Sequence, residues 1–511
     1  MKLFLWIYAT SCMAQTTTLF SSHQTKLWLH QQPGFFHFSY DNINMPSHFH
    51  NMGLLGINYF SDITPSIYGG VGGYAAITGK QGGFFVLGME GGFHYELFPH
   101  WSGVAGLFVG GGGGRSTPVG GGLMLRPQIG LQYSWPNLRL GLHYSYIDFP
   151  NGRIHSDQVG LDLDVPYDFY YVCPEYQTNT LFKLNEIFLA NGQYLVVKLN
   201  DFAIVLQAYQ PQSQTKNVYG QIQDDSIGLV GAEWDHYFTN QAFWYIKLAG
   251  AFHGTPNGYM DLLGGLGLHR QINSSPFAIV PQIGIGAAGG GYVNTGGGLI
   301  MQPQVGVEAA LNKKLAVRLS GGYLRSLQGS FKAYTATTEL IYHLDFAAGE
   351  NTLSDHLPLD YKIQNWRLQI FNQTYLHPQR IKSPITSSVN LIGFQADQFV
   401  TPYFFISYQA ASSYRGDRSG GYATGMIGPG MQTREYANLH LQFFTELLAG
   451  AGGGGLAVGR GAILEPVAGI HLTLTKIFGL QTSVSYIKSL HDNLSTPAIN
   501  LGMTLRLGVL S

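Results

Sequence analysis

Gly120-Gly121-Gly122-Leu123-Met124-Leu125-Arg126-Pro127-Gln128-Ile129-Gly130 returns as Gly296-Gly297-Gly298-Leu299-Ile300-Met301-Gln302-Pro303-Gln304-Val305-Gly306. It returns more loosely as Gly459-Arg460-Gly461-Ala462-Ile463-Leu464-Glu465-Pro466-Val467-Ala468-Gly469. Each copy follows a glycine run: Gly110 to Gly114, Gly289 to Gly291, and Gly452 to Gly455. Each precedes a tyrosine segment: Ser145-Tyr146-Ile147, Gly322-Tyr323-Leu324, and Ser485-Tyr486-Ile487. Upstream, Gly83-Phe84, Gly258-Tyr259 and Gly421-Tyr422 correspond, as do Gly56, Gly231 and Gly393. A register shared over so much of each copy marks one structural unit present three times. The chain divides into a signal segment at 1–14, unit 1 at 15–166, a linker at 167–200, unit 2 at 201–346, a linker at 347–360 and unit 3 at 361–511.

Inside a unit the hydrophobic pattern has period two, the signature of a sheet with two unlike faces. From Leu138 to Tyr146 one face is Leu138, Leu140, Leu142, Tyr144 and Tyr146, and the other is Arg139, Gly141, His143 and Ser145. Ile129, Leu131, Tyr133 and Trp135 alternate with Gln128, Gly130, Gln132 and Ser134, and near the C-terminus Leu505, Leu507 and Val509 alternate with Thr504, Arg506 and Gly508. Turn signals such as Gly79-Lys80-Gln81, Pro136-Asn137 and Pro150-Asn151-Gly152 mark out about eight strands per unit, and roughly 24 in all. That allowance suits strands of ~9–11 residues plus connections, the length that crosses a bilayer. An even count also returns the chain to the same side after every unit.

Composition bears on the surroundings. Only 11% of the 511 residues are charged, and Lys+Arg 28 nearly balances Asp+Glu 29. Soluble domains carry roughly 25% charged residues. Glycine, at 68 residues, is nearly twice its usual share of ~7%, and 31 Tyr, 31 Phe and 7 Trp make disorder untenable. Without net positive charge the chain has no electrostatic footprint for nucleic acid. Met1-Lys2, the apolar run Leu3 to Tyr8, and small residues ahead of a cut after Ala14 read as a secretory signal. A lipoprotein reading would modify Cys12, but Ala9 is a poor residue three places before it. Removal of the signal leaves Cys173 as a lone thiol with no disulfide framework. Beyond the signal no window has the ~18 continuous apolar residues of a membrane helix.

In its signal, its alternation and its aromatic strand ends the chain resembles Gram-negative outer-membrane β-barrel proteins in general, without a family-specific motif. The resemblance implies an all-β, antiparallel transmembrane β-barrel in the cell outer membrane, with outer-membrane lipid as its partner. Two architectures fit three eight-stranded units: three small barrels in series, or one barrel of about 24 strands. Glycines on the polar side of strands (Gly130, Gly306, Gly469) favour tight curvature and close backbone approach, and hence the small barrels. The distinction matters because eight-stranded barrels are filled by side chains, whereas sixteen or more strands leave an aqueous channel.

Candidate chemistry is sparse. Before the repeated proline stand Arg126, Gln302 and Glu465: a cation, an amide and an anion at one position of a shared frame. Facing one lumen, they would form a mixed-charge ring suited to a weakly selective channel; in separate barrels, each would need its own partners. Arg139, His143, Asp162, Asp164, Arg318, His343, Asp345, His471 and Arg506 fall on the same inward, polar side. His155-Ser156-Asp157 superficially resembles the His/Ser region of outer-membrane lipid A deacylases, which would imply lipid ester hydrolysis. It departs from that family's spaced His-x-Ser-Asn order, and the other units do not repeat it, so a solvated turn is the expectation. His48-x-His50 lacks a third ligand of suitable spacing, and the glycine runs lack the strand, helix and GK[ST] of a phosphate-binding loop. The expectation is a non-enzymatic barrel without cofactor or metal, acting in passive passage across, or organisation of, the outer membrane, with a closed structural or surface-binding assembly as the alternative.

Overall fold

The computed structural model describes residues 26–114, 117–174, 177–189, 192–350, 358–381, 383–436 and 439–511. The signal segment and Cys12 lie outside the described residues. Three antiparallel barrels of eight strands each, separately closed, make up the chain. In the first, the strand Gly34–Ile43 pairs both with Met52–Thr64 and with the last strand, His155–Pro166. In the second, Asn200–Pro211 pairs with Ile227–Tyr237 and with Lys332–His343. In the third, Asp360–Tyr375 pairs with Val389–Phe399 and with Ser495–Leu510. Each unit is therefore sealed on itself, and the single 24-strand barrel is excluded. Closure leaves none of the eight strands as a free edge. No helix among the described residues is long and apolar enough to cross a membrane.

The repeated stretch is the sixth strand of every barrel: Leu123–Trp135, Leu299–Ala310 and Ala462–Thr473. Its proline has no N–H to give, and the ladder to the seventh strand breaks there each time. The pairing skips from Leu125↔Asp148 to Gln128↔Ser145, from Met301↔Arg325 to Gln304↔Gly322, and from Leu464↔Lys488 to Val467↔Ser485.

The two ends of the barrels differ. At the end carrying the chain termini of each unit, called the base, the connections are short, as at 65–66, 99–100 and 136–137. The linkers gather there. Leu27–Gln32 pairs with Phe169–Tyr171 and Ile187–Leu189, and Tyr194–Lys198 pairs with Phe346–Glu350. Within the first linker, Leu181–Lys183 pairs with the start of the third barrel. Leu27, Leu29, Val172, Phe182, Tyr361 and Leu510 form a small core beneath the barrels. Cys173 packs against Ile477 and Phe478, and, contrary to the lone-thiol expectation, the described residues hold no free cysteine. At the opposite end, the top, each barrel is stoppered by its own apolar cluster, with Tyr74, Phe84 and Phe108 in the first, Tyr209, Tyr259 and Phe331 in the second, and Tyr375, Tyr422 and Leu456 in the third.

The barrels form a ring. Near the top, the third strand of the first barrel packs on the fifth and sixth of the second, the second and third strands of the second pack on the fifth and sixth of the third, and the second and third strands of the third pack on the fifth and sixth of the first. The contacts are between bare backbones. Gly83 meets Gly289 and Gly290, Gly258 meets Gly453 and Gly454, and Gly421 meets Gly113 and Gly114. The third glycine of the repeated stretch has φ of +98° at Gly122, +110° at Gly298 and +98° at Gly461. A Cβ there would collide with the carbonyl oxygen of Ser413, Ala76 and Ala251, respectively, each on the neighbouring barrel. Gly82 N–H donates to Gly296 O at 2.9 Å, and Ser413 Oγ donates to Gly121 O at 3.0 Å.

Gly298→Val puts a branched side chain at a left-handed φ and against a neighbouring carbonyl, at a cost of about 1–3 kcal/mol from backbone strain alone. Gly321, with nothing within 4 Å of an added Cβ, is the control. Thermal unfolding of the full chain in detergent is expected to shift down for Gly298→Val and to stay near the parent for Gly321→Ala.

Candidate functional site

Inward positions carry nearly all the buried charge, and each barrel organises it around one arginine with no exposed side-chain surface. In the first barrel, Arg126 Nε donates to Asp41 Oδ2 at 2.9 Å, and its Nη1 donates to Gln128 Oε1 at 2.6 Å. His143 sits between Asp41 Oδ1 at 2.8 Å and Asp162 Oδ1 at 2.7 Å, Ser145 Oγ donates to Asp41 at 2.8 Å, and His37 Nδ1 lies 2.6 Å from Asp164. Gln128 Nε2 extends the network to Glu90 at 2.6 Å.

In the second barrel Arg318 is surrounded by carboxylates: Glu339 at 2.9 Å, Glu308 at 3.1 Å, Asp235 at 3.2 Å and Glu233 at 3.3 Å. Lys247 Nζ donates to Gln302 Oε1 at 3.0 Å, and Tyr209 donates to Asp261 at 2.6 Å. In the third, Arg367 Nε donates to Asp397 at 2.7 Å while its guanidinium lies 4.9 Å from the centre of the Phe405 ring. Gln373 Nε2 donates to Glu465 at 2.7 Å, and Arg506 reaches Gln442 at 2.5 Å beside His471.

Arg126, Gln302 and Glu465 therefore occupy three separate interiors, each with its own partners, and the mixed-charge ring is excluded. Asp162, Asp164, His143, Arg318 and His471 are buried in the barrels. Arg139, with its side chain 20% exposed, lies at the base of the first barrel against Asp164 and over the Phe35 ring. His343 holds Asp201 at 2.6 Å at the base of the second. Asp345 departs from the inward set, because the strand ends at His343 and Asp345 sits in the connection that follows. The sequence reading missed Arg367, Lys247 and the carboxylates of Asp41, Glu233, Asp235 and Glu339. Their alternation with apolar neighbours, as in Arg367-Leu368-Gln369-Ile370, was the available signal.

The gap among Gln369, Gln395, Gln409 and Glu446 in the third barrel is about 10 Å³, room for about one water. His155 and Ser156 do not form a dyad, since they alternate across a strand. His155 is exposed and paired with Asp148 at 2.5 Å, while Ser156 is buried and donates to Gln158 at 2.8 Å. Among the described residues no group of three His, Cys, Asp or Glu side chains is placed to hold a metal ion. His48 and His50 are exposed near a turn.

No family model matches the sequence, and no curated protein matches it significantly. Similar solved structures include the siderophore receptor PirA from Acinetobacter baumannii, with 9% identity, 95% of this chain and 81% of that chain covered, and a TM-score of 0.28. They also include OccK11 (OpdR) from Pseudomonas aeruginosa, with 10% identity, 96% and 99% covered, and a TM-score of 0.21. OccK5 (OpdH) from the same organism has 9% identity, 95% and 99% covered, and a TM-score of 0.21. Likenesses this distant carry nothing about ligand, transport or partner.

Removing a buried cation that neutralises several carboxylates leaves uncompensated charge, which costs about 3–5 kcal/mol. Arg318→Met is expected to lower the unfolding free energy extrapolated from urea titration by that order, and Arg318→Lys, with one compact ammonium in place of a planar fork, is expected to recover only part of the loss.

Proposed function

We propose that the chain is an integral protein of a Gram-negative outer membrane whose three closed barrels organise or present envelope surface and do not conduct solutes. The observation that carries this reading is the inverted polarity of every barrel, with charge buried inside and large apolar side chains bare outside. On the outer walls Ile129 is 62% exposed, Val159 68%, Leu319 59% and Leu501 61%. Exposed apolar area on that scale is foreign to a protein facing water, and it is what a lipid-facing strand presents. Tyr133, Trp135, Tyr146, Tyr334 and Tyr486 sit towards the strand ends on the same outer faces, where interfacial aromatics belong. Short connections at the base fit the periplasmic side, and the top then faces outward.

Filled interiors and apolar stoppers favour a structural or surface-binding role over passage. Two experiments test the reading. In vesicles, Leu319→Arg is expected to destabilise the chain by about 2–4 kcal/mol, the cost of a cation at lipid depth; an effect within about 0.5 kcal/mol, usual for a water-facing site, would refute the membrane reading. In planar bilayers the full chain is expected to add no unitary current, and reproducible single-channel steps would refute the closed-barrel role.

A further inference from the structure

One pair of like charges on the outside of the second barrel breaks the rule that organises the rest of that wall. The seventh strand, Leu315–Ser326, and the eighth, Lys332–His343, run side by side on the perimeter of the ring, away from the strands that contact neighbouring barrels. Their outward residues face each other in pairs from base to top: Leu315 with Tyr342, Val317 with Leu340, Leu319 with Thr338, Tyr323 with Tyr334, and finally Arg325 with Lys332. The column is apolar, reaches a tyrosine pair whose ring centres are 5.8 Å apart, and ends on two cations in direct register. Like charges directly opposite across a ladder repel. Among the described residues no acidic side chain pairs with either, whereas the equivalent place in the first barrel holds Asp148 against His155 at 2.5 Å. The third barrel keeps one cation there, Lys488 opposite Ser495.

We infer that Arg325 and Lys332 bind the phosphate of an anionic lipid in the leaflet at the top of the barrels. This rests on the membrane reading above. The tyrosine pair marks the depth at which headgroups begin, and the two cations stand one pair further out, where a lipid phosphate lies. Arg supplies a planar fork of donors and Lys a point charge, and the apolar column beneath offers the acyl chains a matching wall. A phosphate there removes the repulsion that the strand register builds in. A free phosphate ion would use the cations but leave the apolar wall idle, so the lipid is the better-matched occupant.

The test uses the full chain in three versions: the parent, Arg325→Gln with Lys332→Gln, and, as a control at the base end of the same strand, Lys313→Gln with Lys314→Gln. Each is reconstituted into phosphatidylcholine vesicles doped with phosphatidic acid, floated on a density gradient, then extracted and examined for retained lipid by native mass spectrometry. With each cation near an anionic surface contributing on the order of a few-fold to tenfold, retention of phosphatidic acid is expected to fall about thirtyfold for the Arg325 and Lys332 variant and to stay unchanged for the Lys313 and Lys314 variant. Excess inorganic phosphate is expected not to displace the lipid. Equal retention by the parent and the Arg325 and Lys332 variant, or displacement by inorganic phosphate, would overturn the site while the membrane reading stands. Failure of the parent to float would overturn the membrane reading, and the site with it.

Discussion

Eight strands closed on themselves set a circumference that side chains can fill, and the remaining organisation of the molecule answers to that limit. Every inward side chain must find room, and a polar one away from the open base gains most from a partner, because burial takes it out of water. The inward glycines are explained on this ground. An added Cβ on Gly267 would strike the Phe243 ring, on Gly265 the Tyr245 ring, on Gly393 the Phe371 ring, and on Gly430 the Phe405 ring. Each glycine gives its space to the aromatic ring of the residue paired with it on the adjacent strand. Buried charge follows the same logic: one arginine per barrel gathers the carboxylates that the alternation turns inward.

The outside of the barrels has a second constraint, since three cylinders must touch along lines. Bare peptide groups allow the closest approach, and the glycine runs provide them where the walls meet. Because strands early in one barrel pack on the fifth and sixth strands of the next, all three contacts use the same two faces in the same order, and the ring closes. Two joints lie between barrels that are consecutive in the chain; at the third, between the last barrel and the first, glycine contacts and Ser413 on Gly121 at the top are joined at the base by the first linker, whose Leu181–Lys183 pairs with the start of the third barrel.

Much of this was legible in the sequence. The strands, their number and their inward and outward faces follow from alternation, which the pleat of a sheet enforces residue by residue. The repeated stretch pointed to three equal units, and the inward glycines to narrow ones. Less legible was everything that depends on contacts distant in the chain. That Arg126 meets Asp41, or that Arg318 sits amid Glu233, Asp235, Glu308 and Glu339, is set by the stagger of strands around a barrel, which no local pattern encodes. Asp345 was misplaced because period two carries on past the point where the strand lets go of its neighbours. The glycine runs carry no local sign of their role as the seam between barrels, which needs the third dimension.

The proline that interrupts the ladder in each sixth strand has a bearing on recovery from unfolding. A residue that cannot donate is also one that cannot mispair there: sliding the sixth strand along the seventh would bring the proline opposite a carbonyl that expects an N–H. Three barrels of similar sequence, strung on one chain, are exposed to exchange of strands between units as they form. The same gap recurs in the same seam of every unit, so each sixth strand carries one backbone position that can give no N–H to any partner strand, its own or another unit's.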